Sequence, residues 1–226
     1  MNLNKICMLF VACTVFVVVH AVQEKKNSAY VPGHAHETAV EDLASEHGIV
    51  ERLLLIYDEI GRRLADAQPF ELDDLFQAAD IMHRFVEEYH EKTEENYVFP
   101  VFEKKGVATR LTAELRKQHT AGRAITARVL ELAQQDVLNV REKREVRKLL
   151  KKFVTMYRVH LSREDTDLFP EFRKLVSKEE YLRLSKLFDE KEDELFGEHG
   201  YKNFLHQIEQ IEKRLDIYDI SLVTPV

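Results

Sequence analysis

The chain has 226 residues, 32% of them charged and 45% apolar, with a formal net charge of −7. That length allows one well-packed domain with additions, or two small ones. The acidic balance argues against nucleic acid as a partner, and with only seven Gly, five Pro and no Trp the long runs of Glu, Lys, Leu, Arg and Ala read as helix.

Residues 1–21 differ in character from the rest of the chain. Lys5 is their only charge, Ile6–Val19 is apolar apart from Thr14, and Val19-His20-Ala21 places small or tolerated residues before Val22. This is the pattern of a signal peptide over residues 1–21. The apolar run is shorter than the roughly 20 residues of a membrane span, so no stable span is expected after cleavage. Export to a periplasmic or extracellular location is expected, with an N-terminal membrane anchor as the alternative if the signal stays uncleaved. Cys7 and Cys13 both fall in this segment, so the mature chain would carry no thiol. Any metal would then be held by nitrogen and oxygen. Residues 22–37 are polar, contain Pro32-Gly33 and read as a linker in which His34 and His36 are incidental.

From Thr38 a helical period begins, with Val40, Leu43, Ala44, His47, Val50, Leu54, Tyr57 and Gly61 on one stripe and charged residues opposite. This first helix ends before Pro69. A second starts near Leu72 with Ala79, His83, Val86, His90, Glu94, Tyr97 and Val101 inward; Pro100 interrupts its last turns and Gly106 stops it. The third runs from about Thr109 to Gln135, with Leu111, Leu115, His119, Gly122, Thr126, Val129 and Ala133 inward. The fourth begins at Asn139, a suitable N-cap, and carries Leu149, Phe153, Tyr157, His160, Glu164 and Leu168 inward, with Pro170 near its end. Four long helices on short loops make an all-α, up-down-up-down four-helix bundle over residues 38–176. Residues 177–226 add a C-terminal helical extension built from Lys178–Glu194 and Tyr201–Tyr218.

The second and fourth helices echo each other. YHEKTEENYVFP places His90 four residues before Glu94 and then Phe99-Pro100; 70 residues later His160 stands four before Glu164 and then Phe169-Pro170. The echo makes the bundle a duplicated helix hairpin. A spacing of four puts imidazole and carboxylate on one helix face, a turn apart. His47 and His119 precede the two copies at similar distances, so each helix supplies one inward histidine. A lone histidine on an apolar stripe is more often a core residue than a ligand. A carboxylate on such a stripe, however, is costly unless paired or bound to metal, and here two recur, each beside a histidine. His47, His90, Glu94, His119, His160 and Glu164 are therefore expected to bind metal. Four imidazoles and two carboxylates exceed what a tetrahedral zinc site uses. They suit two transition ions, iron first and manganese second, bridged by the carboxylates and by an oxo or hydroxo group.

These motifs resemble the hemerythrin-like (HHE cation-binding) family, four-helix bundles around a non-haem di-iron centre. Glu46-His47, His90-x3-Glu94 with Phe99-Pro100, Gln118-His119 and His160-x3-Glu164 with Phe169-Pro170 carry the match. The ferritin-like order, with carboxylate before histidine, is reversed here. The resemblance implies binding or sensing of O₂ or a related small ligand. The alternative is an enzyme-like role in peroxide or NO detoxification, or in iron handling and repair of iron centres. The segment from Phe196 to Leu215 is similar to a tail found in many bacterial and archaeal members. One position departs from the oxygen carriers: a second histidine one turn after the helix-three histidine is replaced by Arg123. His83, two turns before His90, and Glu91 are the candidates to complete the site. Tyr157, one turn before His160, is expected to serve in packing, with donation to a bound ligand as the alternative, and His199 and His206 are expected on the surface.

Overall fold

The computed structural model describes residues 39–225; the expected signal peptide and the linker with His34 and His36 lie outside the described residues. Those described are helical, with no strand among them, and form six rods. The first is α1 (Ala39–Ala65). The second is continuous but not uniform: α2 (Leu72–Ile81), π1 (Met82–His90), α3 (Glu91–Thr93), π2 (Glu94–Val98) and α4 (Phe99–Lys105). The third is α5 (Thr109–Ala133), and the fourth joins α6 (Val140–Arg163), π3 (Glu164–Leu168) and α7 (Phe169–Leu175). The last two are α8 (Lys178–Phe196) and α9 (Gly200–Arg214). No helix among the described residues is long and apolar enough to cross a membrane.

The rod ends obey local chemistry. Asn139 Oδ1 accepts the amides of Arg141 and Glu142 at 2.9 and 3.0 Å, and Glu142 returns a carboxylate to the Asn139 amide at 2.8 Å, closing a capping box on α6. Gly106 terminates α4 at φ +67°, a left-handed conformation that a Cβ disfavours.

Pro100 and Pro170 explain π2 and π3. A proline inside a helix lacks an amide hydrogen, and its ring strikes the carbonyl four residues back. A wider turn just before each proline relieves this: the Phe99 amide bonds to Glu94 O and the Phe169 amide to Glu164 O, five residues back. The wide turn also advances the buried face. Val98, Phe99 and Phe102 are buried, while Tyr97 and Val101, expected inside, are only partly so.

α1 packs on α6, α2 on α5, α5 on α6, and α1 on α2. Their apolar residues form two clusters. One holds Val50, Tyr57, Phe85, Val129, Phe153 and their neighbours; the other holds Leu43, Phe99, Phe102, Leu115, Phe169 and Phe172. Along each of the first four rods the predicted donors fall between the two clusters: His47 in α1, His90 and Glu94 in the second rod, His119 in α5, and His160 and Glu164 in the fourth. The polar layer is thus sealed by apolar packing at both ends. α8 and α9 pack along α1, with Leu184 and Phe188 joining one cluster and Phe204, Ile208 and Ile211 the other.

Candidate metal centre

All six predicted donors are buried, with Glu94, Glu164 and His119 at 0% exposure. They form two overlapping groups, in each of which one ligand atom per residue lies within 4.8 Å of the others. His47, His90 and Glu94 make one. Glu94, His119, His160 and Glu164 make the other, so Glu94 belongs to both.

Each imidazole turns Nδ1 outward to an oxygen acceptor and Nε2 inward. His47 Nδ1 meets Asp165 Oδ1 at 2.9 Å, His90 Nδ1 meets Glu46 Oε2 at 2.6 Å, His119 Nδ1 meets Glu95 Oε1 at 3.0 Å and His160 Nδ1 meets Gln118 Oε1 at 2.9 Å. An acceptor there places the proton on Nδ1 and leaves Nε2 with a free lone pair, the tautomer a metal requires. The inward nitrogens converge on the carboxylates. His160 Nε2 lies 3.0 Å from Glu164 Oε2, His47 Nε2 3.6 Å from the same oxygen, His119 Nε2 3.5 Å from Glu94 Oε2 and His90 Nε2 3.8 Å from Glu94 Oε1. His119 Nε2 and His160 Nε2 stand only 3.2 Å apart.

The centre leaves several buried polar atoms unanswered. His47 Nε2 and all four carboxylate oxygens of Glu94 and Glu164 are buried without a hydrogen-bond partner. Orphaned buried polar atoms are rare and expensive, and five facing one point amount to a socket for cations. Burial, then the charge of Glu164, pushes the Glu94 carboxyl well above its ordinary range. Burial also opposes ionisation of Glu164, but the His160, His47 and His119 imidazoles outweigh it and hold that carboxyl at about 2. Burial depresses His90 to about 3 and His119 to about 4, keeping both neutral. At His47 burial is outweighed by Asp165 and Glu164, and its pKa rises.

Comparison with known proteins agrees with this geometry. The family model of the hemerythrin HHE cation-binding domain matches residues 38–172, more than half of the chain. The chain belongs to the hemerythrin HHE family. An uncharacterized protein of Mycobacterium tuberculosis is 39% identical over 189 residues, covering 83% of this chain and 74% of that protein. An uncharacterized protein of Mycobacterium bovis is similar to the same extent. No solved structure matches the chain. As a hemerythrin HHE domain with buried histidine and glutamate groups, it has what is needed to hold metal cations.

The residues weighed as additions to this hemerythrin-type site separate clearly. His83 is exposed; its Nδ1 meets Glu87 Oε2 at 3.1 Å, away from the centre. The reason is π1. With i→i+5 bonds each turn holds more residues than an α-turn, so seven residues no longer make two whole turns, and Glu87 is buried instead of His83. Glu91 is buried and forms a third group with Glu95 and His119. A cation already serves that group: Arg123 Nη2 and Nη1 lie 2.8 Å from Glu91 Oε2 and Glu95 Oε1. Arg123 therefore braces Glu95, which in turn holds His119. Tyr157 donates to Glu91 Oε1, and Gly122 makes room for its ring. His199 and His206 are exposed, as expected.

Sequence reasoning passed over the acceptors as a set. Glu46 and Gln118 precede His47 and His119, while Glu95 and Asp165 come directly after Glu94 and Glu164. Their adjacency to the donors was the available signal: Glu46 serves the histidine of the second rod and Gln118 that of the fourth, while Glu95 and Asp165 reach back to His119 and His47.

Proposed function

We propose that this hemerythrin-family protein is a non-haem di-iron protein that binds or senses O₂ or a related small ligand. His47 and His90 would hold one ion, His119 and His160 the other, with Glu94 common to both groups and Glu164 beside His160, reaching toward His47. The observation that carries this is the convergence of four inward Nε2 atoms, His47 Nε2 unpartnered among them, with orphaned carboxylate oxygens in one sealed layer. Neutral imidazole and carboxylate donors suit iron, with manganese second. When bound, a pair of ferrous ions with an open position supplies affinity for a diatomic ligand or peroxide. The chain's own residues do the rest. The four Nδ1 acceptors fix ring orientation, and the two apolar clusters exclude water. The alternation of those clusters along successive rods supports an up-down-up-down four-helix bundle spanning residues 38–176 as the frame.

A second reading, peroxide or NO turnover or iron handling, draws on one observation. The buried Tyr157 hydroxyl and Glu91 carboxyl lie beside the centre where Arg123 replaces an imidazole. Export of the chain, expected from the pattern of residues 1–21, would favour binding over repair of cytosolic iron centres. Anaerobic loading with ferrous iron tests both. About two irons per chain and visible absorption that cycles between O₂ and argon support binding; rapid loss of that absorption with turnover of peroxide or NO supports the second reading. Iron content that matches a chain lacking Glu94 and Glu164 side chains would remove the site altogether.

A further inference from the structure

A groove of about 550 Å³ runs between α5 and α6, lined by Gln118, Lys148, Lys151, Lys152, Met156 and Val159. Its charge is out of keeping with the rest of the molecule. Asp and Glu outnumber Lys and Arg by 40 to 33, and three arginines of the same two rods find a carboxylate: Arg128 pairs with Glu145, Arg158 with Asp58 and Arg163 with Asp167. Arg144, Lys148, Lys151 and Lys152 are exposed, share one face of α6 and enter no ion pair among the described residues. Cations that serve only as a solvated face do not need a groove with Met156 and a 56%-exposed Val159 at its floor. The floor also leads directly to the centre. Of the four groups that accept an Nδ1 bond, Glu46, Glu95 and Asp165 carry carboxyls and Gln118 an amide, and Gln118 lines this groove while holding His160 Nδ1 at 2.9 Å. An anionic surface is attracted to these unpaired cations.

We propose that this groove docks an acidic electron-transfer protein, with the partner's carboxylates on Lys148, Lys151 and Lys152, an apolar side chain over Met156 and Val159, and Gln118 and His160 between the two redox centres. The concave, partly apolar floor fits a protruding side chain of a protein better than a flat bilayer or a phosphate backbone. The inference rests on the di-iron reading. The partner's reduced cofactor would supply one electron at a time to the centre that His160 helps to hold, with no atom transferred between the proteins, and two such electrons would match a ferric pair.

A reduced plant-type [2Fe–2S] ferredoxin serves as the acidic probe, its binding read by fluorescence anisotropy against the full chain with and without iron at several salt concentrations. Binding should occur in both forms and weaken steeply with salt. Lys148→Glu/Lys151→Glu/Lys152→Glu should lower affinity by about tenfold or more, with unchanged helical signal and iron content, while Lys104→Glu/Lys105→Glu on the far end of the second rod should not. In the iron-loaded chain, reduction by ferredoxin should slow by a similar factor and reduction by dithionite should not. The proposal is overturned if ferredoxin does not bind, if the two variants weaken binding alike, or if the triple variant instead loses binding to phosphatidylglycerol vesicles or duplex DNA. Because affinity is read on the metal-free chain, its failure is separate from failure of the di-iron reading, which iron content alone reports.

Discussion

His90 and His160 occupy equivalent places in the two copies of the motif, yet their surroundings differ at almost every atom. His90 leans on the Glu46 carboxylate, which also accepts the Tyr89 hydroxyl at 3.1 Å; His160 leans on the neutral amide of Gln118. The residue after His90 is the buried acid Glu91, and the residue after His160 is the apolar Leu161. The rod entering His90 is π-helical over Met82–His90, while α6 is regular up to Arg163. What both halves keep is the donor pair, the wide turn at Glu94 and Glu164, and the Phe-Pro just beyond it. Two cations placed in this centre would therefore meet the same donor atoms but unequal basicity behind them, since a carboxylate acceptor strengthens an imidazole donor more than an amide does.

The sharpest way to break the comparison is to remove a shared carboxylate. Glu94 belongs to both donor groups, Glu164 to one. Glu94→Ala should take iron content well below about one per chain, and Glu164→Ala should leave about one of the two expected of a di-iron site, as measured by elemental analysis after loading. Equal effects would mean that the halves are equivalent at the metal. Next in size come the acceptors. Glu46→Ala and Gln118→Ala should each weaken metal binding by a factor in the range of about 10 to 100, with Glu46 the larger, read by competition with a chelator.

The halves should also differ in pH response. Burial, opposed by hydrogen bonds from Tyr89 and Tyr157, raises Glu46 and Glu91 to about 8 from an ordinary 4.5. Across that interval the metal-free folded chain retains protons that the unfolded chain has released, so stability falls as pH rises, by about 1.4 kcal/mol per pH unit for each group. His90 and His119, depressed to about 3 and 4 from 6.5, act at the other side: below pH 6.5 the unfolded chain takes up protons the fold refuses, and stability falls as pH drops. Metal-free protein should thus be most stable at mildly acidic pH in denaturant titrations. Glu46→Gln/Glu91→Gln, which gives the first half the uncharged character of the second, should flatten the alkaline limb.

The helical class, the rod limits to within a few residues, and the gathering of His47, His90, Glu94, His119, His160 and Glu164 in one buried layer were legible in the sequence because period and spacing carry them. Asn139 and Gly106 were legible as caps for the same local reason. What periodicity could not show was a change of period. π1 has no sequence signature comparable to a cap, and an even 3.6-residue stripe put His83 inside and passed over Glu87. Where Pro100 forces a wide turn, the stripe slipped from Tyr97 and Val101 to Val98 and Phe102. The acceptors around the histidines were hidden for a different reason: each reaches across to another rod, and only packing brings Asp165 to His47 or Glu46 to His90.

Gly122 tests the crowded side of the centre. A Cβ there would fall inside contact distance of Tyr157 Oη and 2.9 Å from Cε2. Gly122→Ala should therefore displace the ring, break its bond to Glu91 and destabilise the chain by about 1–3 kcal/mol, seen as a lower melting temperature. Tyr157→Phe in the same chain should recover part of the loss, because the closest clashing atom is gone.

The smallest effect is expected at His83, and it tests why the two second-position rods differ. If π1 sets the register, the His83 imidazole contributes only a half-exposed contact with Glu87, 3.1 Å long and largely screened by water. His83→Ala should then shift stability by no more than about 0.5 kcal/mol and leave iron content and chelator competition unchanged. A regular α-helix through Met82–His90 would instead bring His83 onto the His90 face, and the same substitution would cost iron affinity. Retained affinity in His83→Ala beside lost affinity in Glu46→Ala would place the support of His90 across the bundle in α1, rather than along its own rod.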